Sequence, residues 1–169
     1  MTQQGDSFPR AGFLRRLAAM IYDALVAVAV GMCAALVAIV VLVILLENNV
    51  LDKQGMEHSS AVIQTSSLYK TLIQIWVGGW VLGFFVWFWR NGGQTIGMRA
   101  WRLRLFSTTD QPLTYSRALW RTLCSLCGLG TLLVLLDVRH KQSLQDHLAK
   151  TEMLVLSKEA NHHRSWGKV

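Results

Sequence analysis

Charge is scarce in this sequence. Only 16% of its 169 residues are Asp, Glu, Lys or Arg, while 52% are hydrophobic. A soluble domain carries about a quarter charged residues, so an ordinary soluble fold is excluded and a single membrane domain is expected. Acidic residues are the rarer sign, 10 against 17 basic, which leaves a formal charge of +7. That excess does not point to nucleic acid, because the basic residues cluster beside long apolar runs, the arrangement that fixes membrane orientation. Cysteine is sparse too. Cys33, Cys124 and Cys127 all lie in apolar segments and form no disulfide framework. The CxxC spacing of Cys124 and Cys127 has no second ligand pair and reads as core thiols rather than as a metal or redox site. No phosphate loop, no nucleophile beside a base and no catalytic carboxylate pair is present, and His162 and His163 stand in a polar tail without a ligand set. No enzymatic activity, cofactor or metal is expected.

What the sequence has is long apolar runs. Leu17 to Leu46 contains one charge, Asp23. Thirty residues of helix reach about 45 Å against a hydrocarbon core of about 30 Å, so the first two turns are expected at the headgroup boundary and the span proper over about 22–46. Asp23 then sits near the edge of the core, where a carboxylate costs least. The run is too long, and too acidic, for a cleaved signal peptide. A slightly acidic segment, Glu47 to Lys70, leads to a second span over about 71–89, ending in Trp87, Trp89 and Arg90 as an interfacial belt. Gly79 and Gly83 form a GxxxG step with Gly78 beside it, a flat face for close helix contact either within the chain or with a second copy.

The connection after the second span is the most basic, with Arg90, Arg99, Arg102, Arg104, Arg117 and Arg121 against Asp110. With Arg10, Arg15 and Arg16 before the first span, it places both ends of the helical hairpin in the cytoplasm and the loop between them outside. Arg102 to Phe106 alternates as a strand does, and Met153 to Leu156 is its candidate partner, giving a small cytoplasmic β element. A third apolar segment, 118–136, is interrupted at Gly128 and Gly130 and flanked by basic residues at both ends. It reads as a re-entrant hairpin or as a third crossing. The expected fold is therefore all-α and transmembrane, with a cytoplasmic segment 1–16, a membrane domain 17–156 and a polar tail 157–169.

GFLRRLAAMIYD, RNGGQTIGMRAWRLRL, RALWR and LQDHLAKTEMLVL occur in that order. Together they resemble the RDD family of multi-pass bacterial membrane proteins, over about Gly12 to Leu156. The resemblance implies an inner (plasma) membrane protein and identifies Arg16, Asp23 and Asp146 as the arginine and two aspartates of the family motif. It implies solute or cation transport for some members. Around the second aspartate the family reads like LHDRLAGT, whereas this chain has a histidine after the acid, His147, and Lys150 where a glycine is usual.

Arg16 and Asp23 share a helix face about 10 Å apart along the axis, too far to pair directly. Asp23 is therefore expected to take another cation, with Arg99, Arg117 and Arg121 as candidates, and Arg16 to take Asp146 or a lipid phosphate. Three functions follow from these charges: a buried network fixing the bundle to its cytoplasmic cap, an ion or proton path through Asp23, or recognition of anionic lipid head groups. The leading expectation is transport of a small ion or solute. Two or three spans are too few to enclose a path, so it needs a homo-oligomer or a partner. The rival is a non-catalytic assembly or lipid-binding scaffold. The partners expected in either case are the lipid bilayer and a second copy, with no nucleic acid.

Overall fold

The computed structural model describes residues 8–109, 114–125, 131, 134 and 143–161. In chain order the elements are α1 (Phe13–Glu47), α2 (Ser59–Thr65), α3 (Ser67–Gly92), α4 (Ile96–Ala100), β1 (Leu103–Ser107), α5 (Tyr115–Cys124), α6 (Leu144–Ala149) and β2 (Thr151–Val155).

Helices α1 and α3 have 35 and 26 residues, about 52 and 39 Å at 1.5 Å per residue, so each exceeds a hydrocarbon layer of about 30 Å. Both are longer than the spans expected from composition, because their polar ends stay helical. Only 6% of the most apolar stretch of α1, and none of that of α3, is buried by the protein itself. The core helix of a soluble protein hides such residues. These two present Leu25, Met32, Ile75 and Trp80 outward, as a helix does whose solvent is lipid.

Specific residues stop each helix. Asn48 Nδ2 donates to the Ile44 carbonyl at 2.7 Å, and Asn49 turns left-handed at φ 56°, closing the C-terminal end of α1. Gly93 ends α3 at φ 64°. A Cβ there would stand 2.8 Å from the Leu105 carbonyl oxygen, so both the conformation and the close approach require glycine.

The chain divides into two compact units. In residues 27–83, α1 and α3 close on α2 around Leu46, Val62, Ile63 and Tyr69. Gly31 lets the helices approach: its missing Cβ would lie 3.4 Å from Val77 Cγ1. Trp76 Nε1 donates to the Ala34 carbonyl at 3.1 Å. Gly78, Gly79 and Gly83 meet nothing within 4 Å. Among the described residues the close glycine contact between these helices is thus made at Gly31, and the GxxxG step takes no part in it.

In the other unit, β1 and β2 pair antiparallel with Leu103 opposite Val155 and Leu105 opposite Met153. The strand begins at Leu103 because Arg102 is left-handed, φ 57°. Residues 9–11 run along the other side of β2 through Ala11 N to Met153 O and Val155 N to Pro9 O, both 2.9 Å. Ala11, Ala19, Met98, Leu103, Leu105, Ala118 and Met153 form the core. The first part of the third apolar segment is α5, with Ala118 and Arg121 buried and Trp120 and Leu123 exposed. The bend expected at Gly128 and Gly130, like Cys127, His162 and His163, lies outside the described residues.

Gly31→Leu should overpack the helix contact and lower stability by about 1–3 kcal/mol. Gly79→Leu and Gly83→Leu should leave the melting temperature of the detergent-solubilised monomer unchanged. Equal loss in all three would show that the glycine face of α3 has a neighbour inside the chain.

Candidate functional site

Three side chains from distant parts of the sequence meet in the sheet-containing unit. Arg16 is the fourth residue of α1, Arg121 lies in the last turn of α5, and Asp146 is the third residue of α6. Ser143 precedes α6, and its backbone N–H donates to Asp146 Oδ2 at 3.1 Å, a capping bond that fixes the carboxylate before any arginine reaches it. Arg16 Nη1 donates to Oδ2 at 2.5 Å and Arg121 Nη1 to Oδ1 at 2.6 Å. All three side chains are at most 1% exposed.

Neutral groups complete the cluster. Arg16 Nε donates to the Ala11 carbonyl at 3.0 Å, and Arg121 Nη1 to Thr151 Oγ1 at 2.6 Å. The Arg121 guanidinium also lies over the Trp89 ring, 5.3 Å from its centre, a cation–π contact. Burial works to raise the Asp146 carboxyl, but Arg121 and Arg16 outweigh it and hold the group well below the usual carboxylate range. The two arginines therefore favour the ionised form of the carboxylate.

Asp23 is elsewhere on α1 and is bound differently. Thr95 Oγ1 donates to its Oδ2 at 2.5 Å and the Gly97 N–H to its Oδ1 at 2.8 Å. Both donors come from the start of α4, where Thr95 is the N-cap and accepts the Met98 N–H at 3.3 Å. A Cβ on Gly97 would come within 2.8 Å of Asp23 Cγ and collide with the Ala19 carbonyl oxygen, so glycine is what admits the helix start to α1.

The expectation that Asp23 takes an arginine partner is thereby corrected. Arg121 belongs to Asp146. Arg117 donates from Nη2 to the carbonyls of Ala149 and Lys150, each at 2.8 Å, capping the end of α6, and from Nη1 to Ser107 Oγ at 3.1 Å. Arg99 is an exposed residue of α4, whose backbone carbonyl accepts Asn161 Nδ2 at 3.1 Å. The physical reason is that a helix start supplies N–H donors and partial positive charge, which satisfy a carboxylate without a full cation. Thr95, Gly97, Ser143 and Thr151 were not foreseen. Thr95 ahead of a short apolar stretch, and serine three residues before Asp146, are the sequence signals that mark them.

Among the described residues, no group of three or more His, Cys, Asp or Glu side chains is placed to hold a metal ion. Cys33 is exposed and Cys124 half-buried, both as free thiols.

The family model of the RDD family matches residues 10–150, a stretch that includes Arg16, Asp23 and Asp146. The chain belongs to the RDD family. No curated protein and no solved structure matches it.

Removing the shared carboxylate should be costly. Asp146→Asn leaves two buried guanidinium groups short of an anion, and a loss of about 3–5 kcal/mol is expected, with part recovered in Asp146→Asn/Arg121→Met. The pH dependence has a definite sign. Because the folded carboxyl lies below its ordinary value of 3.8, its contribution is complete above that value and falls away as pH drops below it toward the folded value. Thermal unfolding in detergent should show this acid-side loss in the wild type and a smaller one in Asp146→Asn. An Asp146→Asn protein as stable as wild type at neutral pH would remove the carboxylate from its bridging role.

Proposed function

We propose that this member of the RDD family is an integral protein of a bacterial inner membrane that acts as a non-catalytic assembly module. Its charged motif locks a cap, made of α4, α5, α6 and the two-stranded sheet, onto the beginning of the first span. One observation carries this reading: each motif charge is engaged inside the protein. Asp146 takes Arg16 and Arg121, and both oxygens of Asp23 take donors from the start of α4. Asp23 is also only 6% exposed, so an ion would reach the remaining lone pairs of its carboxylate only by opening these contacts. Transport remains the second reading, favoured by the position of an acid in an apolar helix. It requires Asp23 to exchange Thr95 for the transported ion, and self-association, for which the open Gly79 and Gly83 face is the candidate contact.

The orientation proposed is cytoplasmic for the N terminus and the cap, since the arginines concentrate there. Arg121, near the beginning of the third apolar segment, and Asp146, beyond its end, meet at 2.6 Å, which supports placing both on one side of the membrane. Single cysteines at positions 10, 91 and 158 should resist a membrane-impermeant reagent on intact cells, while one at position 54 reacts. Labelling at 158 would establish a third crossing.

The two readings part on Asp23→Asn. If Asp23 fastens the cap, the asparagine loses one acceptor for its two donors at a cost of about 1–3 kcal/mol. Thr95→Val should then cost a similar amount, with the double variant little worse than either. Wild-type vesicles should show no cation-driven pH change. A wild type that produces such a change, with a stable Asp23→Asn protein that does not, would establish transport in its place.

A further inference from the structure

An open groove of about 520 Å³ lies at the beginning of α1, lined by Arg10, Gly12, Phe13, Leu14, Arg15 and Val155 among others. Its walls are fixed. Residues 9–11 are bonded to β2 through Ala11 N to Met153 O and Val155 N to Pro9 O, and Arg10 is held by Glu152 at 3.0 Å. Arg15 behaves otherwise: it makes no hydrogen bond or ion pair with any described residue and is half-exposed. The groove therefore brings two guanidinium groups together, and among the described residues Arg10 has the Glu152 carboxylate beside it.

The helix leading away from the groove supplies the other half of the chemistry. Leu14, Ile21 and Leu25 fall within about 40° of one another around α1 and are 79%, 54% and 67% exposed. They form an apolar stripe that starts in the groove and follows the span. Arg16, Ala19 and Asp23 occupy the buried face of the same turns, so the stripe lies on the side that the cap leaves bare. A ligand that fits has an anionic head to meet Arg15 and an acyl chain to lie along Leu14, Ile21 and Leu25.

We infer that the groove between residues 9–15 and Val155 binds the headgroup of an anionic phospholipid, with Arg15 as its principal cation and the Leu14–Ile21–Leu25 stripe as the track for an acyl chain. The inference deepens the reading of the protein as a membrane assembly module and rests on it, because it sets the start of α1 at the lipid headgroup level. Arg10 contributes field but stays with Glu152. Phe13 and Leu14 give the apolar floor that a free phosphate would not use.

Native mass spectrometry of the full-length chain, released from vesicles of phosphatidylcholine mixed with phosphatidylglycerol, tests it. Wild type should retain phosphatidylglycerol in preference to phosphatidylcholine. Arg15→Gln should weaken phosphatidylglycerol retention about fivefold, the equivalent of about 1 kcal/mol for one basic residue at a membrane surface, and leave phosphatidylcholine unchanged. Leu14→Gln should weaken both lipids. Lys70→Gln, at an exposed basic residue outside the groove, should change neither. Equal retention in wild type and Arg15→Gln overturns the proposal. So does an equal loss in Arg15→Gln and Lys70→Gln, which would mean diffuse surface charge, or displacement of the lipid by inorganic phosphate alone. Among the described residues no hydrogen bond or ion pair to the Arg15 side chain would be lost, and unchanged thermal unfolding of Arg15→Gln verifies that the variant folds. None of these outcomes alters the stability and flux of Asp23→Asn, so the lipid site and the assembly reading fail separately.

Discussion

The carboxylate of Asp146 is the constraint on which the sheet-containing unit depends. It joins residues 130 and 25 positions away in the chain and so fixes α1, α5 and α6 at one point. A buried ion pair adds little net stability, because desolvation consumes most of the attraction. Its leverage is in the alternatives it forbids: any packing that separates one arginine from the acid strands a charge away from water. With two guanidinium groups on one carboxylate, the penalty applies on both sides. The capping bond from Ser143 orients the acid through its own helix, and the arginines then arrive at a preset acceptor.

Asp23 obeys a different economy. An acid in an apolar helix is expensive only where nothing donates to it, and the beginning of α4 supplies a hydroxyl and a backbone N–H within 2.8 Å. The arrangement works because position 97 lacks a Cβ, so that two backbones approach to a distance that any other residue prevents. Thr95 then serves two helices, capping its own and binding the other. This explains how the protein keeps a carboxylate in α1 while Arg117 and Arg121 are committed elsewhere.

Much of this was legible in the sequence, and the failures have physical causes. Hydropathy revealed both long helices, and the alternation around Leu103 and Leu154 revealed the sheet, with the first strand displaced by one residue because Arg102 is left-handed and the second beginning two residues earlier than expected. For Arg16 both Asp146 and a lipid phosphate were open, and the structure shows Asp146. The partner of Asp23 was misread, since a search for opposite charge overlooks backbone N–H donors, which every sequence possesses and none displays. Helix α2 has seven residues, fewer than two clear periods, and so leaves almost no pattern. The helix contact at Gly31 was hidden by a stronger motif: GxxxG marks where helices are able to approach, while the geometry of α1 against α3 decides which glycine is used.

Helical phase explains why neighbouring arginines differ. Arg15 and Arg16 project about 100° apart, and the phase of α1 is set by Ala19 and Asp23, which share the buried face with Arg16 at steps of three and four residues. Once Asp23 is fastened to α4, Arg16 must enter the cap, and Arg15 must emerge beside Leu14. The RR pair is thus one inward charge that organises the protein and one outward charge left to its surroundings. Reading the two as a single basic cluster merges roles that a rotation of about 100° keeps apart.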